Sequence, residues 1–183
     1  MGITKLSKRC TVEQYLKYKQ EKNKEEILNL FLDRYLERYI EPFKSTHRKH
    51  GFSMMAMSCL MIENFFCFQQ GWSETPGGES NKIFENFFAR SSRLKNFSEI
   101  SFYKNIRCGI LHQGETYNGW KIRRKGPLVD KDKRIINASV FIENIEAELR
   151  DYVIKMKSLS FCDIEWVNMI KKFDSICENS KKK

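Results

Sequence analysis

Residues 53–70, SMMAMSCLMIENFFCFQQ, are mostly apolar and contain neither Gly nor Pro. Such a segment reads as a helix, and one that is apolar on almost every side belongs at the centre of a fold. Its longest apolar run, MMAMSCLMIENFFCF, is interrupted by Glu63 and Asn64 and falls short of a bilayer span. A carboxylate among apolar neighbours is costly unless paired. Glu63 is therefore a candidate to anchor a cation from a neighbouring helix, Arg107 or His112. The competing reading is a helix-edge position.

Working outward from this segment, Thr11 is a good N-cap for one helix running to about Ile40. Leu16, Ile27, Leu28, Phe31, Leu32, Tyr35, Leu36 and Tyr39 recur in it at helical spacing, and Pro42 is expected to end it. After the central helix, GWSETPGGESN is a loop of turn formers. IFENFFARSS follows as a shorter helix, with Phe84, Phe87 and Phe88 expected as packing. Ser98 is then read as the cap of a helix holding Ile100, Phe102, Tyr103, Ile106, Ile110 and Leu111. Residues 115–137 change character, because NGW, KGP and DKDK are turn signals around two β-like runs, YNGWKIRR and KRIINA. They predict a small β-hairpin inserted after that helix. Helices resume at about 140–157 and 163–177, and the tail, 178–183, is expected to fray. The predicted fold is a single all-α domain over 1–183, an up-and-down helical bundle with an inserted hairpin.

Composition narrows the function classes. With 41% hydrophobic and 31% charged residues, the chain is too apolar for disorder and too polar for a membrane protein. The polar first thirty residues lack the layout of a secretion signal, so a cytoplasmic location is expected, with no membrane partner. The six cysteines form no CxxC pair, which excludes zinc-ribbon and thioredoxin readings and favours reduced thiols. His47 and His50 in STHRKHG are read as loop residues, and no metal site or cofactor is expected. The net charge of +10, gathered in RKHG, KIRRK, KDKR and a KKK tail, favours polyanionic partners such as nucleic acid.

The least interchangeable side chains lie in IRCGILHQGE, residues 106–115. Arg107 and His112 are five positions apart, so a regular α-helix would place them about 140° apart around its axis. They therefore either belong to a distorted helix end or converge on something outside their own helix. Gly109 and Gly114 weaken helix here and permit close approach of another backbone. Two copies packed about a two-fold axis would bring two arginines and two histidines around one cleft. Such a set suits RNA cleavage by its own 2′-hydroxyl. One imidazole takes the hydroxyl proton, a second protonates the leaving 5′-oxygen, and the guanidinium fork holds the phosphate. DNA lacks that nucleophile.

The run IRCGILHQ, with Arg and His separated by four positions late in a helix of a small all-helical chain, resembles the HEPN superfamily. That resemblance implies a four-helix bundle that dimerises into a composite, metal-independent ribonuclease site, with Arg107 and His112 as catalytic residues. It also implies toxin, phage-defence or RNA-processing roles acting on RNA such as tRNA, often beside a nucleotidyltransferase antitoxin. The superfamily often has Asn, Asp or His after the arginine, whereas this chain has Cys108. That departure favours the alternative, a non-catalytic module binding RNA, a nucleotide or a protein.

Supporting candidates surround the motif. Glu115 is a candidate to orient His112, or else a polar turn residue. Tyr103, one turn before Arg107, is a candidate to stack on a base or bond a phosphate, or else packing. Lys121, Arg123, Arg124 and Lys125 beside Trp120 combine cations with an aromatic, as an RNA-gripping edge would. The bland readings are a His112 that satisfies helix-end carbonyls and an Arg107 paired with Glu99 or Glu115.

Overall fold

The computed structural model describes residues 4–44 and 49–181. The described residues are mostly helical, with a small sheet. Its central element is α4, Gly51–Gln70, which buries Met54, Met55, Cys59, Met61, Ile62, Phe65, Phe66 and Phe68. Around it pack α5 (Ser80–Arg90), α6 (Ala138–Ser158) and α7 (Ile164–Lys181). Each large side chain buried in this way contributes about 1.5–3 kcal/mol. Gly71, at φ +67°, ends α4 with the left-handed residue that a helix C-terminus favours. In length and composition α4 could cross a membrane, but 56% of its apolar window is buried within the fold, as befits a core helix.

The single N-terminal helix expected over 11–40 is two. α1 (Val12–Gln20) is capped by Thr11 and α2 (Lys24–Tyr35) by Asn23, with Lys22 left-handed at φ +51° between them. The break lets α1 fold back so that the Tyr15 hydroxyl donates to Asp174 on α7, 3.0 Å away. Pro42 does not end the helix. A π-turn over Leu36–Ile40 runs straight on into α3 (Glu41–Lys44), so the helix passes through Pro42, with the Glu41 N–H still bonded to the Leu36 carbonyl just before it. α7 also runs on through residues 178–181, which were expected to fray.

Ser98 caps no helix. Its hydroxyl donates to the Lys95 carbonyl within a 3₁₀ turn, Lys95–Glu99, and a left-handed Ser101 (φ +48°) separates this turn from the next element. Phe102 then locks into the core. Its ring stacks on Phe141 at 5.4 Å and meets Phe88 edge-on at 4.9 Å, contacts worth about 0.5–1.5 kcal/mol each beyond burial. Phe84, Phe87 and Phe88 are buried, as expected.

The region 115–137 holds a three-stranded sheet in place of the expected hairpin. β1 (Lys121–Arg123), β2 (Val129–Asp130) and β3 (Ile135–Asn137) are ordered β1-β3-β2. The two β-like runs pair in parallel, with Ile122 opposite Ile136, while β2 pairs antiparallel on the far side of β3. Both isoleucines are buried, and the connection is tied down where Asn137 donates from its side chain to Gly126 and from its backbone to Leu128. Burial of the isoleucines and these two bonds outweigh the local turn signals.

Candidate functional site

IRCGILHQ lies in a π-helix spanning Tyr103–Gln113. A π-helix closes its hydrogen bonds between residues five apart, so side chains at that spacing come to one face. Arg107 and His112 therefore meet within a single chain, Arg107 Nη1 lying 3.2 Å from His112 Nε2. Of the two readings left open by their spacing, the structure shows the distorted helix, and the two side chains meet without a second copy. A guanidinium only donates, so a hydrogen bond across this contact requires Nε2 to be the acceptor.

Three features hold the π-turn. Gly109 faces residues 115–117 so closely that a Cβ there would lie 2.4 Å from the Glu115 carbonyl oxygen. Asn105 is buried and donates to the Ile100 carbonyl at 2.8 Å, and its side-chain oxygen accepts from Asn118 at 2.7 Å. Its backbone carbonyl also accepts from the Tyr117 N–H, 2.8 Å away. Gly114, at φ +74°, closes the element. Asn105 was not singled out from the sequence. A polar residue amid Phe102, Tyr103 and Ile106 was the available signal.

Glu63 meets the expectation placed on it. Its Oε1 accepts from Arg107 Nε at 2.9 Å, with the two side chains only 18% and 17% exposed. Burial opposes the Arg107 charge, but the Glu63 bond and charge prevail and raise its pKa above the ordinary guanidinium value. The Arg107 guanidinium also lies over the Tyr103 ring, 5.5 Å from its centroid. Burial and a hydrogen bond with the Cys108 thiol push the Tyr103 phenol upward. Tyr103 thus braces the arginine from its own helix. The partners considered for Arg107 are engaged elsewhere: Glu99 pairs with Lys131, and Glu115 accepts from the Thr116 N–H and hydroxyl. Glu115 is a turn residue and does not orient His112.

The candidate RNA-gripping edge divides. Lys121, Arg123 and Lys125 are exposed, and half-buried Arg124 donates from Nε to the Ser139 hydroxyl at 3.0 Å. Trp120 is only 8% exposed, packed in the core with Ile122 and Ile136, so its ring is not available for base stacking. Burying an indole gains more than presenting it to water. The basic edge lies by the start of α4, whereas Arg107 is held at Glu63, further along the same helix. His50 is the N-cap of α4, and His47 lies outside the described residues. Cys10, Cys59, Cys67 and Cys177 are buried thiols, Cys108 is half-buried and Cys162 exposed. Among the described residues no three His, Cys, Asp or Glu side chains gather as a metal-ligand set.

The site is therefore an imidazole and a guanidinium in contact on an exposed turn, the guanidinium backed by a carboxylate and an aromatic ring. No protein-family model matches the chain, and no curated protein or solved structure does either.

Proposed function

We propose that the chain is a metal-independent endoribonuclease of HEPN type, with Arg107 and His112 as its catalytic residues. The observation that carries this reading is the 3.2 Å contact between Arg107 Nη1 and His112 Nε2, with Arg107 fixed by Glu63. A phosphate entering between the two side chains takes the guanidinium donors and frees Nε2 as a base. The 2′-hydroxyl proton passes to Nε2, the 2′-oxygen bonds to phosphorus, and the bond from phosphorus to the 5′-oxygen breaks. The departing oxygen takes a proton, leaving a 2′,3′-cyclic phosphate and a 5′-hydroxyl. Arg107 stabilises the added charge on the phosphoryl oxygens.

That reaction uses a base and an acid, and each chain brings one imidazole to this site. The second is supplied by His112 of a second copy, so a homodimer belongs to this reading on a count of protons. Leu60 and Leu111, 40% and 47% exposed, are apolar residues on the two helices that carry Glu63 and His112. Toxin or phage-defence roles, a tRNA substrate and an antitoxin partner follow only from the HEPN resemblance. The test is cleavage of total RNA in EDTA by the wild type and by His112→Ala. Loss of cutting in the variant and cyclic-phosphate ends support the nuclease. Equal cutting by both proteins, or none by either, hands the site to a binding module.

A further inference from the structure

A second cationic feature stands apart from the Arg107–His112 pair. A groove of about 830 Å³ opens between the first turn of α4 and the edge of β1. Lys49, His50, Phe52 and Ser53 line one side, and Ile122, Arg123, Arg124 and Lys125 the other. The two walls touch through Gly51, where a Cβ would lie 3.0 Å from Ile122 Cγ2, so glycine is what lets β1 sit against the start of the helix. β1 is an edge strand of the sheet, and its exposed Lys121 and Arg123 flank the buried Ile122.

The charge balance of this groove is one-sided. None of the described residues lining it is acidic. The first turn of α4 carries no carboxylate, and no side chain caps it. The positive end of a 20-residue helix thus adds to the fixed charges of Lys49, Arg123, Arg124 and Lys125. Arg124 is held by Ser139, but like charges gathered along one groove still repel one another. Such crowding becomes favourable when a polyanion enters and displaces its own counterions.

We infer that this groove is a docking site for the sugar-phosphate backbone of a single RNA strand, flanking the position cut at Arg107–His112. The choice of RNA rests on the nuclease reading above. Phe52, half-buried on the groove wall, offers a ring on which an unpaired base can stack, which a duplex would not present. Phe52 and Glu63 are eleven residues apart on α4, close to three full turns, so they share a face. The groove therefore lies about 16 Å along the helix axis from the carboxylate that holds Arg107. That span matches about five stacked nucleotides at 3.4 Å each, or fewer when the strand is extended.

The experiment is binding of a 5′-fluorescein 12-nucleotide oligouridylate, followed by anisotropy from 50 to 300 mM salt. His112→Ala serves as the parent so that the RNA stays intact. Arg123→Ala/Lys125→Ala is compared with Lys95→Ala/Lys157→Ala, which removes two exposed cations elsewhere, and melting curves confirm that both fold. The groove variant is expected to bind about fivefold or more weakly and to lose about 1.4 from the salt slope, the share of two phosphate contacts. The control should do neither. An unchanged slope in the groove variant, or an equal loss in the control, overturns the proposal even if the wild type cuts RNA. So does displacement of the RNA by oligoglutamate at the same charge concentration, which would make the groove a site for acidic protein. Binding through the groove without cleavage by the wild type would leave this site standing and remove the nuclease instead.

Discussion

Gly109 and Glu115 approach so closely that a single added methyl group at Gly109 would lie 2.4 Å from the Glu115 carbonyl oxygen. The neighbouring atoms at 3.0 and 3.1 Å, Thr116 Cα and Tyr117 N, are also backbone, so no flexible side chain can yield. Gly109→Ala is therefore expected to push residues 115–117 away and strain the Tyr117-to-Asn105 hydrogen bond. Overpacking of this kind costs about 1–3 kcal/mol. In a chain of this size that lowers Tm by about 2–4 °C per kcal/mol. A melting curve that overlays the wild type would show that the π-turn does not depend on this approach.

Glu63 and Arg107 form a largely enclosed ion pair, so their variants should not be equivalent. Glu63→Gln keeps an acceptor but removes the charge, and should cost about 1–3 kcal/mol in urea unfolding. Arg107→Lys leaves a cation but loses the planar fork that reaches Glu63 and His112 together. On the proposed function, Arg107→Lys should cut more than tenfold more slowly than wild type while remaining folded. Wild-type rates in that variant would remove Arg107 from the chemistry.

Removing His112 should be the most selective lesion. It is exposed, so His112→Ala is expected to leave Tm within about 1–2 °C of wild type, since surface changes stay near ±0.5 kcal/mol. Loss of a general acid–base group should nevertheless lower single-turnover cleavage by about 10²–10⁴-fold. Wild-type cutting should persist in EDTA, and its loss there would point to a metal-assisted reaction.

Trp120 separates packing from recognition. Trp120→Ala should destabilise the fold by about 3–5 kcal/mol, the cost of emptying a large core site. Trp120→Phe, which keeps an apolar ring there, should leave RNA affinity unchanged. A large affinity loss in that variant at unchanged Tm would return Trp120 to the binding surface.

Stability in acid should depend on Glu146, which is buried on α6 between Lys44 and Arg150. Burial raises its pKa, but the two cations outweigh it and hold the carboxyl below its ordinary value. A depressed carboxylate contributes stability above its unfolded value, about 4.3. That contribution is lost as pH falls through the lower folded value. Glu146→Gln should therefore flatten the acid limb of a stability–pH curve below about pH 4.5. An unchanged acid limb would assign that loss to other carboxylates.

Several elements were legible because one residue type left few options. An apolar surface on nearly every side of 53–70 had to become the core, and α4 did. A carboxylate within it needed a cation, and Glu63 found Arg107. A glycine inside the motif allowed another backbone to approach, and residues 115–117 do so at Gly109. These readings follow from desolvation and sterics, which act on the residue wherever it is placed.

The remainder rested on contacts between distant segments. Whether residues 103–113 bond to the fourth or the fifth neighbour along the chain is not written in helix propensity. Here the left-handed Ser101, the Asn105 ties and the close fit at Gly109 accompany the wider turn, and that turn brings Arg107 to His112. The parallel pairing of β1 with β3, the break at Lys22 and the burial of Trp120 likewise went against local turn, periodicity and aromatic signals. Periodicity and composition show which groups must leave water. Which of them meet is decided by a balance of several long-range contacts, each small beside the total, and that balance exists only in the assembled fold.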